Sequence, residues 1–220
     1  MLVNDIEEFK RLLHSDIGKF LADCERDNLV PIIRPNTASD KNFAWLAAEY
    51  PTIQFYDYTK SVDRMRAYIQ GMLPSNYHLT YSVSELSSNA FCLEVLRAGC
   101  NVALVVDTPY NGQQKTYGPI PPYWNRFKTV DGDIHDIRLP LLDGGGKVIC
   151  LRLKGTNRSR ALGRKHGFAR MFNRISLEQS IVQIASDKYK TNSAGMEKYW
   201  DLPTENPFEK HRRLQSIKIN

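Results

Sequence analysis

Acidic, basic and imidazole side chains crowd into one short stretch, Asp131-Gly132-Asp133-Ile134-His135-Asp136-Ile137-Arg138. In extended chain successive side chains alternate, which sets Asp131, Asp133 and His135 on one face and Asp136 and Arg138 on the other. Carboxylates beside an imidazole suit a divalent ion or a His/carboxylate pair, because oxygen ligands hold hard cations and histidine titrates near neutrality. Asp131, Asp133 and Asp136 are therefore candidate metal ligands and His135 a candidate acid or base, with a divalent metal as the cofactor these residues suggest. Asp-Gly-Asp is equally the composition of a plain turn, and the spacing matches no established metal signature.

A second set of candidates follows from the elements that must position them. Short β-rich runs at 29–34 (LVPIIR), 53–57 (IQFYD), 78–82 (HLTYS) and 102–106 (VALVV) start about 24 residues apart, which fits a strand, a helix and two short loops. The helical patterns between them have readable ends: Ser39 or Asp40 before 43–50, Ser61 before 62–70 and Gly71, Ser87 or Ser88 before 89–98 and Gly99. An amphipathic helix of about five turns, capped by Asn4 or Asp5, precedes them all. Strand-helix alternation implies parallel neighbours joined by right-handed crossovers. The expected fold is α/β, either an open sheet or an incomplete (β/α) barrel, since a barrel needs eight strands and the sequence shows six at most.

Ligands of such sheets bind beyond the carboxyl ends of the strands. The run ends nominate Arg34, Asn36, Ser39 and Asp40, then Asp57, Thr59 and Lys60, then Ser82, Ser84 and Glu85, and last Asp107. Carboxylates and cations in one crevice shift each other's pKa values, as acid/base chemistry requires. Asp57, Lys60 and Glu85 join His135 as catalytic candidates. Arg34, Asn36, Asp40, Thr59, Ser82, Arg138 and Lys154 are candidate substrate contacts. The plainer alternative makes Ser39, Thr59 and the serines before Asn89 helix caps, and Lys60 a solvated loop lysine.

After Asp107 the rhythm breaks into 108–125, rich in Pro, Gly and Tyr, the composition of a long lid or binding loop. Strand-like runs at 128–130 and 148–153 flank the Gly144-Gly145-Gly146 turn and complete a main domain over 1–155. Up to residue 154 the chain balances 17 Lys+Arg against 18 Asp+Glu, whereas the remainder holds 13 against 6. The C-terminal segment 156–220 therefore carries the positive charge. Arg158, Arg160, Arg164, Lys165, Arg170 and Arg174 fall in one acid-free stretch and are candidate nucleic-acid contacts. Phe168 and Phe172 beside them either stack on bases or form one packing face. A helix over about 176–188, opened by a Ser176/Gln179 capping box, and then an extended arm are expected to follow.

Composition, 42% hydrophobic and 25% charged in 220 residues, is that of a globular protein. No apolar run approaches the roughly 18–20 residues that cross a bilayer, and the N-terminus lacks the order of a signal peptide. The expectation is a cytoplasmic protein with no membrane partner. Cys24, Cys92, Cys100 and Cys150 are scattered without metal spacing and read as reduced, mostly buried thiols. No dinucleotide fingerprint, phosphate-binding loop, nucleophile elbow or zinc-protease motif is present. The run ICLRLKG has Arg152 where a nuclease strand would carry its acid.

Four motifs in order resemble a known family: Arg34-Pro35-Asn36-Thr37-Ala38-Ser39-Asp40, Phe55-Tyr56-Asp57-Tyr58-Thr59-Lys60, Leu73 to Thr80 (LPSNYHLT) with Ser82 and Glu85, and Val130 to Arg138 (VDGDIHDIR). They resemble phage-encoded proteins of the gene product 88-like type, over about residues 25–155. The first motif departs from the group's usual Arg-Leu-Asn-Gly-Thr-Ser-Asp at Pro35 and Ala38, which stiffen the turn. The resemblance implies a bacteriophage or prophage source, a barrel-like α/β fold and expression in the host bacterial cytoplasm. Longer members look as though they begin with a cysteine-rich, cluster-binding segment; this chain shows no such segment, so an iron–sulfur cluster is not expected.

Two functions compete. In one, the protein binds nucleic acid or a host protein through its basic C-terminal segment and an anionic ligand at the strand ends. In the other it is an enzyme acting on a nucleotide or nucleic acid, with Arg34, Lys60 and Arg138 on phosphate and Asp57, Glu85, Asp133 and His135 as acid, base or metal ligands. A phage structural or assembly role through the C-terminal arm is a third. Unpaired sheet edges would favour a homo-oligomer.

Overall fold

The computed structural model describes residues 5–114 and 116–171. The Asp5 carboxylate caps α1 (Ile6–Arg26), accepting from the Glu8 amide at 2.9 Å, and Ile17 presses into the core with Leu13 and Leu21 beside it. β1 (Ile32–Ile33) is shorter than the run that suggested it. Leu29 and Val30 stay exposed, Leu29 closes α1 by donating to the Cys24 carbonyl, and Pro31 has no amide to give.

The predicted rhythm then holds through α2 (Ala44–Glu49), β2 (Gln54–Thr59), α3 (Val62–Ile69), β3 (Tyr77–Ser82), α4 (Asn89–Arg97) and β4 (Asn101–Asp107). Ser61 and Ser88 cap α3 and α4. Neither Ser39 nor Asp40 caps α2, which has no side-chain cap; their side chains bond elsewhere, as described below. The Pro/Gly/Tyr stretch contains a small hairpin, β5 (Tyr110–Asn111) and β6 (Thr116–Tyr117). A second hairpin joins β7 (Tyr123–Trp124) to β8 (Phe127–Asp131). Its two turn residues, Asn125 and Arg126, have φ of 46° and 73°, the primed-turn geometry that matches strand twist. α5 (Pro140–Asp143), β9 (Val148–Arg152), α6 (Asn157–Lys165) and β10 (Arg170–Met171) follow.

The sheet runs β1-β2-β3-β4-β9-β8-β7, with β10 paired to β4. All neighbours from β1 to β8 are parallel, and β7 is antiparallel at the edge. The sheet is open. A barrel keeps its strands in chain order around the ring, whereas β9 enters between β4 and β8 and reverses that order.

The reversal also decides which face each helix covers. Right-handed crossovers moving from β1 to β4 put every helix on one side, and the core there joins Leu46, Met65, Phe91 and Val95 of α2–α4 to Phe55, Leu79, Tyr81, Val102 and Leu104 of the strands. The return from β8 to β9 and then to β10 puts α5 and α6 on the other side. Arg138, just before α5, bonds to Tyr58, and Arg160 of α6 bonds to Asp107. By strand alternation both partners face away from that core. The basic stretch is thus partly built into the sheet; the helix expected over 176–188 and the arm lie outside the described residues.

All four cysteines are free and buried, and burial pushes the Cys100 and Cys150 thiols up to about 12. Among the described residues no helix is long and apolar enough to cross a membrane.

Candidate functional site

The loop after β1 is held by its own asparagine. Asn36 Nδ2 donates to the Lys41 carbonyl and its Oδ1 accepts from the Lys41 amide and from Ser39 Oγ, at 2.8, 3.0 and 2.6 Å. The same residue fastens the loop to β2: its amide and Nδ2 donate to Asp57 at 3.0 and 2.8 Å, and Tyr77 Oη donates to Asp57 at 2.6 Å. Asp57 is fully buried. Burial raises its pKa, against the lowering pull of the Tyr77 and Asn36 hydrogen bonds. Asp57 is therefore a sealed anchor for the loop.

Asp40 closes the far end of the loop. It accepts from Thr59 Oγ1 at 3.1 Å and the Lys60 amide at 2.8 Å, and it pairs with the Arg64 guanidinium. Arg64 also donates to Tyr77 Oη at 2.9 Å, so both ends of the loop meet in one connected network. Nothing in the sequence marked Arg64, whose role depends on where α3 starts beside the loop.

This network shapes a cleft of about 330 Å³ at the ends of β1, β2 and β3, lined by Arg34, Thr37, Ser39, Tyr58, Lys60 and Ser82 among others. Seven residues nominated by strand ends, namely Arg34, Asn36, Ser39, Asp40, Thr59, Lys60 and Ser82, come together around it. Arg34 gives Nε to the Asn36 carbonyl at 2.9 Å and lies 4.9 Å from the centre of the Tyr58 ring. The Lys60 side chain is exposed. With Asp40 neutralised by Arg64 and Asp57 sealed, the groups left facing the cleft are cations and hydroxyls, the set that holds phosphate.

Other nominated residues lie elsewhere. Glu85 and His135 are exposed and do not line the cleft. Arg138 is buried with all its nitrogens engaged: Nε on Tyr58 Oη at 2.8 Å, Nη1 on Asp143 at 2.7 Å, Nη2 on the Gly132 carbonyl at 2.8 Å and on the His135 carbonyl. It fastens the segment after β8 to the sheet and has no nitrogen to offer a substrate. Burial raises the pKa of Asp143, opposed by Arg138, and raises that of Tyr58.

The alternating arrangement expected for 131–138 does not form, because the chain turns after Asp131. Gly132 permits the turn: a Cβ there would lie 2.6 Å from Ile149 and 2.8 Å from Leu151. Asp131 meets Arg152 Nη1 at 2.6 Å, and Asp133 meets Arg152 at 3.2 Å and Lys154 at 2.9 Å. Arg152 lowers the pKa of Asp131; for Asp133, burial is outweighed by Lys154 and Arg152, and its pKa is lowered too. Cations thus occupy the place a metal would take, Asp136 is exposed, and no group of three His, Cys, Asp or Glu able to hold a metal exists among the described residues. Lys154 pairs with Asp133 and is not among the residues that line the cleft.

On α6, Arg158 and Lys165 are exposed, while the buried Arg160 and the more exposed Arg164 reach Asp107 at 3.1 and 2.5 Å. Those two arginines are structural partners of a strand-end aspartate before they are anything else. Arg170 sits in β10 against Val106, and Arg174 lies outside the described residues.

Helices on both faces of an open, mostly parallel sheet define a doubly wound α/β fold. The chain belongs to the gene product 88 family, whose model matches residues 1–169. That span is wider than the four motifs and takes in α1 and α6, so the family match extends over the basic stretch up to 169. No curated protein and no solved structure matches the chain.

Proposed function

We propose that this phage gene product binds a phosphate-bearing ligand, a nucleotide or the end of a nucleic acid, in the cleft at the ends of β1–β3, within the cytoplasm of its bacterial host. The observation that carries this reading is the charge left over after the loop is built. Asp57 and Asp40 are occupied internally, and Arg34 and Lys60 remain with the hydroxyls of Ser39 and Ser82 around about 330 Å³ of space. Pockets of this size hold small ligands. Among the described residues the cleft presents no unpaired carboxylate, which favours binding over acid/base catalysis. The exposed Arg158 and Lys165 of α6 add positive charge for a longer polyanion.

A ligand that binds the folded state raises its melting temperature. Pyrophosphate should stabilise the wild-type protein, and the Arg34→Ala/Lys60→Ala double variant should lose that stabilisation while remaining folded without ligand. Equal stabilisation of both proteins would overturn the reading.

A further inference from the structure

The end of β4 carries a second arrangement that the first cleft does not explain. Asp107 receives Arg164 through Nε at 2.5 Å and Nη2 at 3.0 Å, and Arg160 through Nη2 at 3.1 Å. Two guanidinium groups thus share one carboxylate, leaving a surplus positive charge. They border a hollow of about 460 Å³ closed on its other sides by Thr108, Tyr110 and Asn157. Arg160 and Thr108 are each only 5% exposed. Even so, Arg160 Nε and Thr108 Oγ1 have no hydrogen-bond partner among the described residues. Buried polar atoms are normally satisfied, and both of these exceptions belong to residues that line this hollow.

The hollow also has an aromatic side. Tyr110 is 42% exposed, lies 5.4 Å from the Arg160 guanidinium, and packs against Tyr117 with ring centres 4.7 Å apart. Tyr110 and Pro109 also line an adjoining space of about 690 Å³ inside the β5–β6 hairpin. A flat apolar ring beside a cationic, donor-rich wall matches a ligand with a planar aromatic part and an anionic part.

We infer that the end of β4 is a second binding site, for a nucleoside monophosphate unit: the base stacks on Tyr110, and the phosphate takes Arg164 and Asn157. Stacking on a tyrosine tolerates any base, so the site holds nucleotides without sequence preference. It is distinct from the cleft at β1–β3, with which it shares no lining residue.

The test is a titration of the full chain with AMP, adenosine and inorganic phosphate, on wild type, Tyr110→Ala, Tyr110→Phe, Arg164→Gln and Arg34→Ala/Lys60→Ala. Tyr110 and Arg164 are 42% and 41% exposed, so their variants should fold, and Tyr110→Phe keeps the ring. AMP should bind more tightly than adenosine or phosphate. Its affinity should fall at least tenfold in Tyr110→Ala and Arg164→Gln, return in Tyr110→Phe, and persist in the double cleft variant. AMP binding that survives Tyr110→Ala and Arg164→Gln, that disappears only in the double cleft variant, or that is absent in wild type overturns the inference. Phosphate binding as tightly as AMP does the same.

Discussion

Asp57 of β2 and Asp107 of β4 both stand at or near the carboxyl ends of parallel strands, with β3 between them, and their surroundings drive them in opposite directions. Asp57 is wrapped in neutral donors, two from Asn36 and one from Tyr77, and burial raises its pKa. Asp107 is met by two arginines, Arg164 foremost, and its pKa is lowered despite partial burial. The first environment closes around a carboxylate to fix a loop. The second leaves cations and unsatisfied atoms beside open space. The same residue type at equivalent places is thus framework in one and part of a receptive surface in the other. What separates them is whether the surrounding groups have anything left to give.

Removing the sealed aspartate should do the most damage. Asp57→Ala leaves the Asn36 amide and the Tyr77 hydroxyl without their acceptor, and at about 1–3 kcal/mol for each buried orphan a loss of about 2–6 kcal/mol is expected in urea unfolding. A loss below about 0.5 kcal/mol, the range of ordinary surface substitutions, would mean that Asp57 is not the anchor. Asp107→Ala should cost less, about 1–3 kcal/mol, because Arg164 can turn to water. Its effect should be local, with faster amide exchange over α6 and little change over β2 and β3.

Gly132→Ala sharpens the contrast on the other edge of the sheet. A methyl group pushed against Ile149 and Leu151 should cost about 1–3 kcal/mol by overpacking. The loss should be seen as a lower melting temperature, with ligand binding at the β1–β3 cleft unchanged.

The pH dependences should have opposite signs. A carboxylate whose folded pKa is lowered contributes stability above its unfolded pKa and loses it as pH falls through the folded value. Asp107 should therefore release α6 as pH drops below the ordinary carboxylate value of about 4. Asp57, raised by burial, contributes most when protonated and loses that contribution as pH rises through its folded value. Exchange over 157–165, compared between wild type and Asp107→Asn from pH 5 to pH 3, should show the acid-induced release in wild type alone.

Much of this was legible in the sequence because the rhythm of β-rich runs and capped helices is a local pattern. β2, α3, β3, α4 and β4 fall where their residues put them, with Ser61 and Ser88 as caps. Strand order was not legible: nothing in the run 148–152 says that it enters between β4 and β8, and that insertion moves α5 and α6 to the other face. The strand-end rule named Arg34, Asn36, Ser39, Asp40, Thr59, Lys60 and Ser82, which line one cleft. It could not tell anchors from contacts, since that depends on partners distant in sequence, such as Asn36 for Asp57, Arg64 for Asp40 and Tyr58 for Arg138. Register could have suggested Arg152 as the partner of Asp131: Cys150 pairs with Asp131, and Arg152 follows two residues later on the same face.

The division between framework and contact is tested most directly by titrating pyrophosphate into Lys60→Ala and Asp57→Asn while recording each variant's melting temperature. The expected result is a split: Lys60→Ala melts like wild type and binds at least tenfold more weakly, whereas Asp57→Asn melts well below wild type. Full affinity in Lys60→Ala, or an Asp57→Asn protein as stable as wild type that has lost only binding, would contradict the assignment of Lys60 as a contact and Asp57 as the anchor.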